Sequence, residues 1–212
     1  MRITGGTLCG RKIQCPPGII RPAMDRMRES LFAVLGPLDG LSFLDLFSGS
    51  GVIGLEAYSR GAIPIRCVEK DAGKKEIISG NLSLAEGNAH LTIMPVERFI
   101  MSWKDSFNVI FLDPPFDYPY KGELLKRICA SKLMSRYCKV LMHFPSEDKL
   151  PKIVNPAEAS GPGSKGTRLR RSLVLKDRRE YGRSIVHFYD ANLPEADDAQ
   201  VPPSSDHEPV LD

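Results

Sequence analysis

The sequence predicts an α/β fold in which a mostly parallel β-sheet carries helices on both faces. Two observations predict it. Apolar runs of strand length alternate with helix-length segments between residues 41 and 144, the pattern of parallel strands joined by crossover helices. The first of those strands, Phe43-Leu44-Asp45-Leu46-Phe47, runs straight into a glycine-rich turn, Ser48-Gly49-Ser50-Gly51. An open sheet of this kind binds ligands just beyond the carboxyl ends of its strands.

Residues 1–20 are rich in Gly, Pro and basic residues with short apolar alternation, which predicts an N-terminal arm or hairpin. Met24, Met27, Leu31, Val34 and Leu35 then fall at helical spacing, and Gly36-Pro37 stops the helix. Strands are expected at 41–47, 65–69, 90–94, 108–113 and 139–144. Helices are expected at 52–60, closed by Gly61, at 72–85 and at 120–133. Residues 155–166 read as a mobile loop by composition. Beyond them, 169–176 and 184–189 predict paired strands joined through Glu180-Tyr181-Gly182. The segment from about Asn192, with four prolines and no apolar periodicity, is expected to be disordered. The chain thus divides into an arm (1–22), a main domain (23–190) and an acidic tail (191–212).

A length of 212 residues suits one domain with a small appendage. Apolar residues at 42% and charged residues at 26% describe an ordinary globular protein. No apolar run approaches the roughly 18–20 residues that a membrane span needs. The opening residues lack the apolar core of a signal peptide, so a cytoplasmic location is expected, with no membrane partner. Cys9, Cys15, Cys67, Cys129 and Cys138 are odd in number and form no CxxC pair. Neither a zinc site nor a disulfide framework is favoured, no structural metal is expected, and Cys67 reads as a small core residue.

The net charge of +3 hides an asymmetry. Residues 190–212 hold seven acids and no Lys or Arg, which leaves the preceding 189 residues at +10. A basic body suggests a polyanionic partner, nucleic acid first, although a solvated basic surface fits the charge equally.

Glycines at the strand-to-helix turn let the backbone approach a ligand closely, and the new helix offers free N–H groups there. Gly49, Gly51 and Gly54 match GxGxxG, and Glu69 ends the next strand, where a carboxylate can accept both hydroxyls of a ribose. NAD is one ligand this pattern admits. Asp45, an acid inside the strand before the loop, suits a ligand with a cationic amine such as S-adenosylmethionine and suits a pyrophosphate poorly.

The segment that separates these readings is Asn108-Val109-Ile110-Phe111-Leu112-Asp113-Pro114-Pro115-Phe116. Two prolines fix φ and remove two donors, so the turn offers rigid acceptors. An exocyclic base amine has two N–H groups and a lone pair delocalised into its ring. Accepting both hydrogens, through the Asp113 carboxylate and the Pro114 carbonyl, frees the lone pair for attack on a sulfonium methyl. Pro115 stiffens the turn, and Phe116 can stack on a flipped base.

Together these residues resemble the RsmD-type bacterial small-subunit (16S) ribosomal RNA guanine-N2 methyltransferases over about residues 1–190. The resemblance rests on Met1-Arg2-Ile3 with Gly10-Arg11-Lys12, on Arg21-Pro22 with Asp25-Arg26-Met27-Arg28-Glu29-Ser30-Leu31-Phe32, and on Leu44-Asp45-Leu46-Phe47-Ser48-Gly49-Ser50-Gly51. Glu69-Lys70-Asp71, Asn81-Leu82, Asp113-Pro114-Pro115-Phe116 and Tyr181-Gly182 complete it. It implies a Rossmann-like, S-adenosylmethionine-dependent methyltransferase with a seven-stranded sheet and an antiparallel last strand. Asp45, Phe47 and residues 48–51 would hold the methionine part of the cofactor. Glu69 and Lys70 would lie at the ribose, Val96 and Glu97 near the adenine, and residues 113–116 at the guanine. The implied partner is ribosomal RNA in an assembling small subunit, met by the arm of a monomeric enzyme.

The sequence departs from that family where Met94-Pro95-Val96-Glu97 follows the third strand, at Ala23 after Arg21-Pro22, and at His143, where the family often has Glu. His143 is expected to be a hydrogen-bonded structural residue rather than a base. Candidate RNA contacts are Arg11, Lys12, Arg21, Arg26 and Arg28 near the N-terminus, with Arg183 in a second basic cluster at 165–183. Three other functions stay open: amino-group methylation of another substrate such as adenine N6 in DNA or other RNA, a non-catalytic RNA-binding assembly factor, and an NAD-dependent oxidoreductase.

Overall fold

The computed structural model describes residues 1–16, 23–156 and 171–192. In chain order the elements are α1 (Ala23–Leu35), β1 (Phe43–Leu46), α2 (Val52–Ser59), β2 (Ile65–Glu69), α3 (Lys75–Leu82), β3 (Ala89–Ile93), α4 (Val96–Ser102) and β4 (Phe107–Leu112). They continue with α5 (Lys121–Ala130), β5 (Met134–Pro145), β6 (Ile153–Val154), β7 (Ser172–Tyr181) and β8 (Ser184–Asn192). All eight strands form one sheet in the order β3-β2-β1-β4-β5-β8-β7-β6.

Strands β1 to β5 run parallel. The last strand, β8, inserts antiparallel between β5 and β7, as the resemblance implied, and the two-residue β6 adds an eighth strand at the edge. Sheet growth reverses direction between β1 and β4. Such a switch point opens a crevice at the carboxyl ends of the strands.

Apolar patterning explains the layers. β1 is buried throughout, as expected of a central parallel strand covered on both faces. α2 is apolar nearly all round and correspondingly buried. One core packs α1, α2, α3 and the arm's Ile3 and Ile13 against Phe43, Val109, Phe111 and Leu141. The other packs Phe99 of α4 and Leu125 and Ile128 of α5 against Leu44, Ile110 and Val140. Alternate residues of each strand therefore serve opposite cores.

Local differences from the expected elements have local causes. α4 was not anticipated, because seven residues barely show a helical period, yet Pro95 stands at its N-cap with φ −58 and sets the entry. The helix expected at 72–85 is α3 flanked by 3₁₀ turns at Ala72–Lys74 and Ser83–Ala85. β5 starts at Met134, earlier than expected, with an irregularity in its register against β4 between Phe107 and Val109. In the arm, Arg2 bridges Lys12 in antiparallel fashion, and Ile3 donates to the Arg11 carbonyl at 3.0 Å. Cys67 is buried, and all five cysteines are free thiols. No helix among the described residues is long and apolar enough to cross a membrane. Arg21, most of the 155–166 loop and the tail beyond Asn192 lie outside the described residues.

Candidate active site

The glycine turn joins β1 to α2. Gly49 and Gly51 both have positive φ (59° and 77°), and a Cβ at Gly51 would sit 3.2 Å from Leu82 Cδ2. Gly49 donates its N–H to Glu69 Oε2 at 3.0 Å, and Asp71 donates to Glu69 Oε1 at 3.0 Å. A carboxylate has about four acceptor positions, so Glu69 keeps capacity for ribose hydroxyls. Lys74 Nζ stands 3.7 Å from Glu69, whereas Lys70 is exposed.

Asp45 is buried beneath the turn and accepts the Gly54 N–H at 3.2 Å. Its Oδ1, like the buried Oγ of Ser48, has no hydrogen-bond partner among the described residues. Burial raises the Asp45 carboxyl well above the usual carboxylate range; the Gly54 hydrogen bond offsets part of this, while Asp113 and Glu69 push it further up. Two orphaned polar oxygens inside a positive-φ turn fit the polar end of an amino-acid-like cofactor, with a cation at Asp45.

Register brings the second half of the site to the first. Leu46 of β1 lies opposite Leu112 of β4, and Leu112 lies opposite Met142 of β5. Asp113 and His143 therefore emerge side by side, beyond the strand that feeds the turn. The Asp113 N–H donates to the Leu46 carbonyl at 3.2 Å, and Asp113 Oδ1 is 2.7 Å from His143 Nδ1. Phe116 meets the His143 ring edge-on at 5.4 Å between centroids. Pro114 is buried and Pro115 exposed.

Two flanking side chains, Lys121 and Tyr118, brace this turn, and neither was singled out from sequence. Lys121 Nζ, almost wholly buried, donates to the Phe116 and Tyr118 carbonyls at 2.7 Å each and pairs with Asp148 at 2.8 Å. A lysine in the first turn of a helix opposes the helix dipole, a signal that it serves something else. Tyr118 packs its ring on Phe47 and donates its hydroxyl to Glu97 at 2.6 Å, which draws α4 toward the crevice. Phe47 itself holds φ 64°, rare for a non-glycine residue. Val96 is buried at the start of α4. Asn81 is bonded reciprocally to Gln14 (2.9 and 2.8 Å) and donates to the Ser50 carbonyl at 2.9 Å, stitching the arm to the glycine turn.

The expected RNA residues separate. Arg11, Lys12 and Arg26 are exposed, and Arg183, its side chain 90% exposed, pairs with Glu147 at the tip of the β7–β8 hairpin. Arg28 is a correction. It is 0% exposed, with Nε 3.2 Å from Glu56 and Nη2 bonded to Asp25 and the Arg2 carbonyl. Buried Glu56 needs a counter-charge, and a guanidinium enclosed there has no surface to offer a phosphate.

Comparison with known proteins agrees with this architecture. The family described as conserved hypothetical protein 95 matches residues 1–190. The ribosomal RNA small subunit methyltransferase D of Escherichia coli K12 is 40% identical over 120 residues, which span 55% of this chain and 60% of that protein. A putative rRNA methyltransferase of Bacillus subtilis, YlbH, is 32% identical over 89% of this chain and 98% of its own. Among solved structures, the putative methyltransferase yhhF of Escherichia coli superposes with a TM-score of 0.72 at 28% identity, covering 90% of this chain and 97% of its own. The fold is that of the Rossmann-like methyltransferases.

Proposed function

Because the chain belongs to the conserved hypothetical protein 95 family, we propose that it transfers a methyl group from S-adenosylmethionine to the exocyclic N2 of a guanine in small-subunit ribosomal RNA. The observation that carries this reading is the adjacency of the two turns. The Asp45–Gly51 ligand cradle and the Asp113–Phe116 acceptor turn leave neighbouring strands at the same end of the sheet, with Leu46 facing Leu112. Relatives named as ribosomal RNA methyltransferases support the substrate class.

S-adenosylmethionine supplies a sulfonium methyl, which the base nitrogen takes as the carbon–sulfur bond breaks to the thioether and the nitrogen sheds its surplus proton to solvent. The chain's own residues do the rest. Asp45 and Ser48 hold the cofactor's polar end, and Glu69 holds its ribose. The Asp113 carboxylate and Pro114 carbonyl accept the two amine hydrogens, so that the lone pair points out of the ring's conjugation. Phe116 lies against the flipped base, and Lys121 keeps the turn from relaxing. Positioning of this kind supplies most of the rate.

In this reading the exposed Arg11, Lys12, Arg26 and Arg183 meet RNA phosphates, in an assembling small subunit, with the enzyme acting as a cytoplasmic monomer. Nucleoside mass spectrometry of ribosomal RNA from cells with and without the protein tests the reading. Loss of one N2-methylguanosine from small-subunit RNA is expected. Loss of N6-methyladenosine instead redirects the substrate, and an unchanged profile rejects the proposal.

A further inference from the structure

The contact between Asp113 and His143 has a consequence for the reaction. His143 is 3% exposed, and its Nδ1 faces Asp113 Oδ1 at 2.7 Å. An ionised carboxylate can only accept a hydrogen bond, so Nδ1 carries the hydrogen. The other ring nitrogen agrees. Nε2 is buried with no hydrogen-bond partner among the described residues, and a hydrogen there would be an unpaired buried donor. The ring is also held in place, since its edge contact with Phe116 restricts rotation.

We propose that His143 is a positioning residue for Asp113, an inference that rests on the amino-methyltransferase reading. By occupying Oδ1 it fixes the carboxylate plane and leaves Oδ2, which bonds to no described residue, as the oxygen that accepts the base amine. With Oδ2 and the Pro114 carbonyl both fixed, the amine has one orientation in which both hydrogens are taken. A free-spinning carboxylate would admit several, and few would aim the lone pair at the methyl. This role goes beyond the structural hydrogen bond expected of His143, because what it orients is the group that touches substrate.

The test uses His143→Leu, which removes the donor, and His143→Asn, whose amide nitrogen reaches nearly the Nδ1 position. Single-turnover methylation of undermethylated small subunits is expected to slow by about 100-fold in His143→Leu, the scale of a misplacement of about 1 Å, and to recover to within about fivefold in His143→Asn. KM for the subunit and Kd for S-adenosylmethionine should stay within about threefold in both. Equal rates in all three proteins overturn the inference, as does equal loss in both variants with weakened cofactor binding. Long-range ¹H–¹⁵N NMR of the imidazoles gives a readout independent of activity. The Nδ1–H tautomer is expected for His143, with a changed signal in Asp113→Ala, and the Nε2–H tautomer refutes the contact. A wild-type protein that binds S-adenosylmethionine yet methylates nothing rejects the functional reading, and the tautomer then decides the contact by itself.

Discussion

The buried carboxylate of Asp45 accepts the Gly54 N–H at 3.2 Å through one oxygen and leaves the other without a partner. Without a cation nearby, burial holds this carboxyl well above the usual carboxylate range. A cofactor ammonium beside it would favour the ionised form and bring it down. S-adenosylmethionine binding should therefore release a proton, and affinity should rise with pH across the interval in which the free Asp45 ionises. Calorimetry in two buffers of different ionisation enthalpy measures that proton directly. Binding that is independent of pH and buffer would remove Asp45 from the site.

The same carboxyl works against folding. Its pKa is higher in the folded chain than in the unfolded one, so the folded state binds more protons and stability falls as pH rises through that interval. At neutral pH the penalty is present. Asp45→Asn keeps an acceptor for Gly54 and loses the charge, and should stabilise the protein by about 0.5–2 kcal/mol while weakening cofactor binding. Thermal melting and titration read the two effects, and a lower melting temperature contradicts the account.

Asp113→Ala should abolish methyl transfer and leave cofactor affinity within about threefold, because its carboxylate is assigned to the base amine. A matched loss of both would mean that Asp113 belongs to the cofactor cradle.

Gly54 packs α2 onto the sheet. A Cβ there would lie 2.6 Å from Cys67 Sγ and 3.0 Å from Ile65 Cγ2. Gly54→Ala should cost about 1–3 kcal/mol through overpacking. Cys67→Ala should relieve part of that cost, so a urea-denaturation double-mutant cycle should give a favourable coupling energy. Strict additivity would show that the clash is not with the thiol.

His187, buried between Phe144 and Tyr189, has its imidazole pulled down from 6.5 to about 4, first by burial and then by the charge of Arg178. The unfolded chain binds this proton first, so stability should drop as pH falls from about 6.5 to about 4. His187→Asn should flatten the curve of melting temperature against pH over that window. An unchanged slope would assign acid sensitivity to other groups.

Much of the fold was legible because its signals are local. Strand β2 was anticipated residue for residue, and the turn after β1 declared itself through glycines that have positive φ. The two halves of the candidate site, Asp45 to Gly51 and Asp113 to Phe116, could be proposed from sequence, since each is a contiguous stretch whose chemistry follows from its residue types. α4 escaped because one helical face of a seven-residue element holds too few residues to show a period. Arg28 was misread because, in sequence, a buried counter-ion to Glu56 looks the same as a surface phosphate ligand.

By itself, the sequence determined where most of the strands and helices lie and which two turns offer polar chemistry, because period, glycine and proline act within a few residues. Only the tertiary structure decided which side chains become partners: His143 with Asp113, Lys121 with the Phe116 carbonyl, Asn81 with Gln14 and Ser50. Those pairings span from 5 to 67 positions along the chain. The longer ones depend on strand register and helix placement, which the packing of the whole core sets and no short stretch encodes.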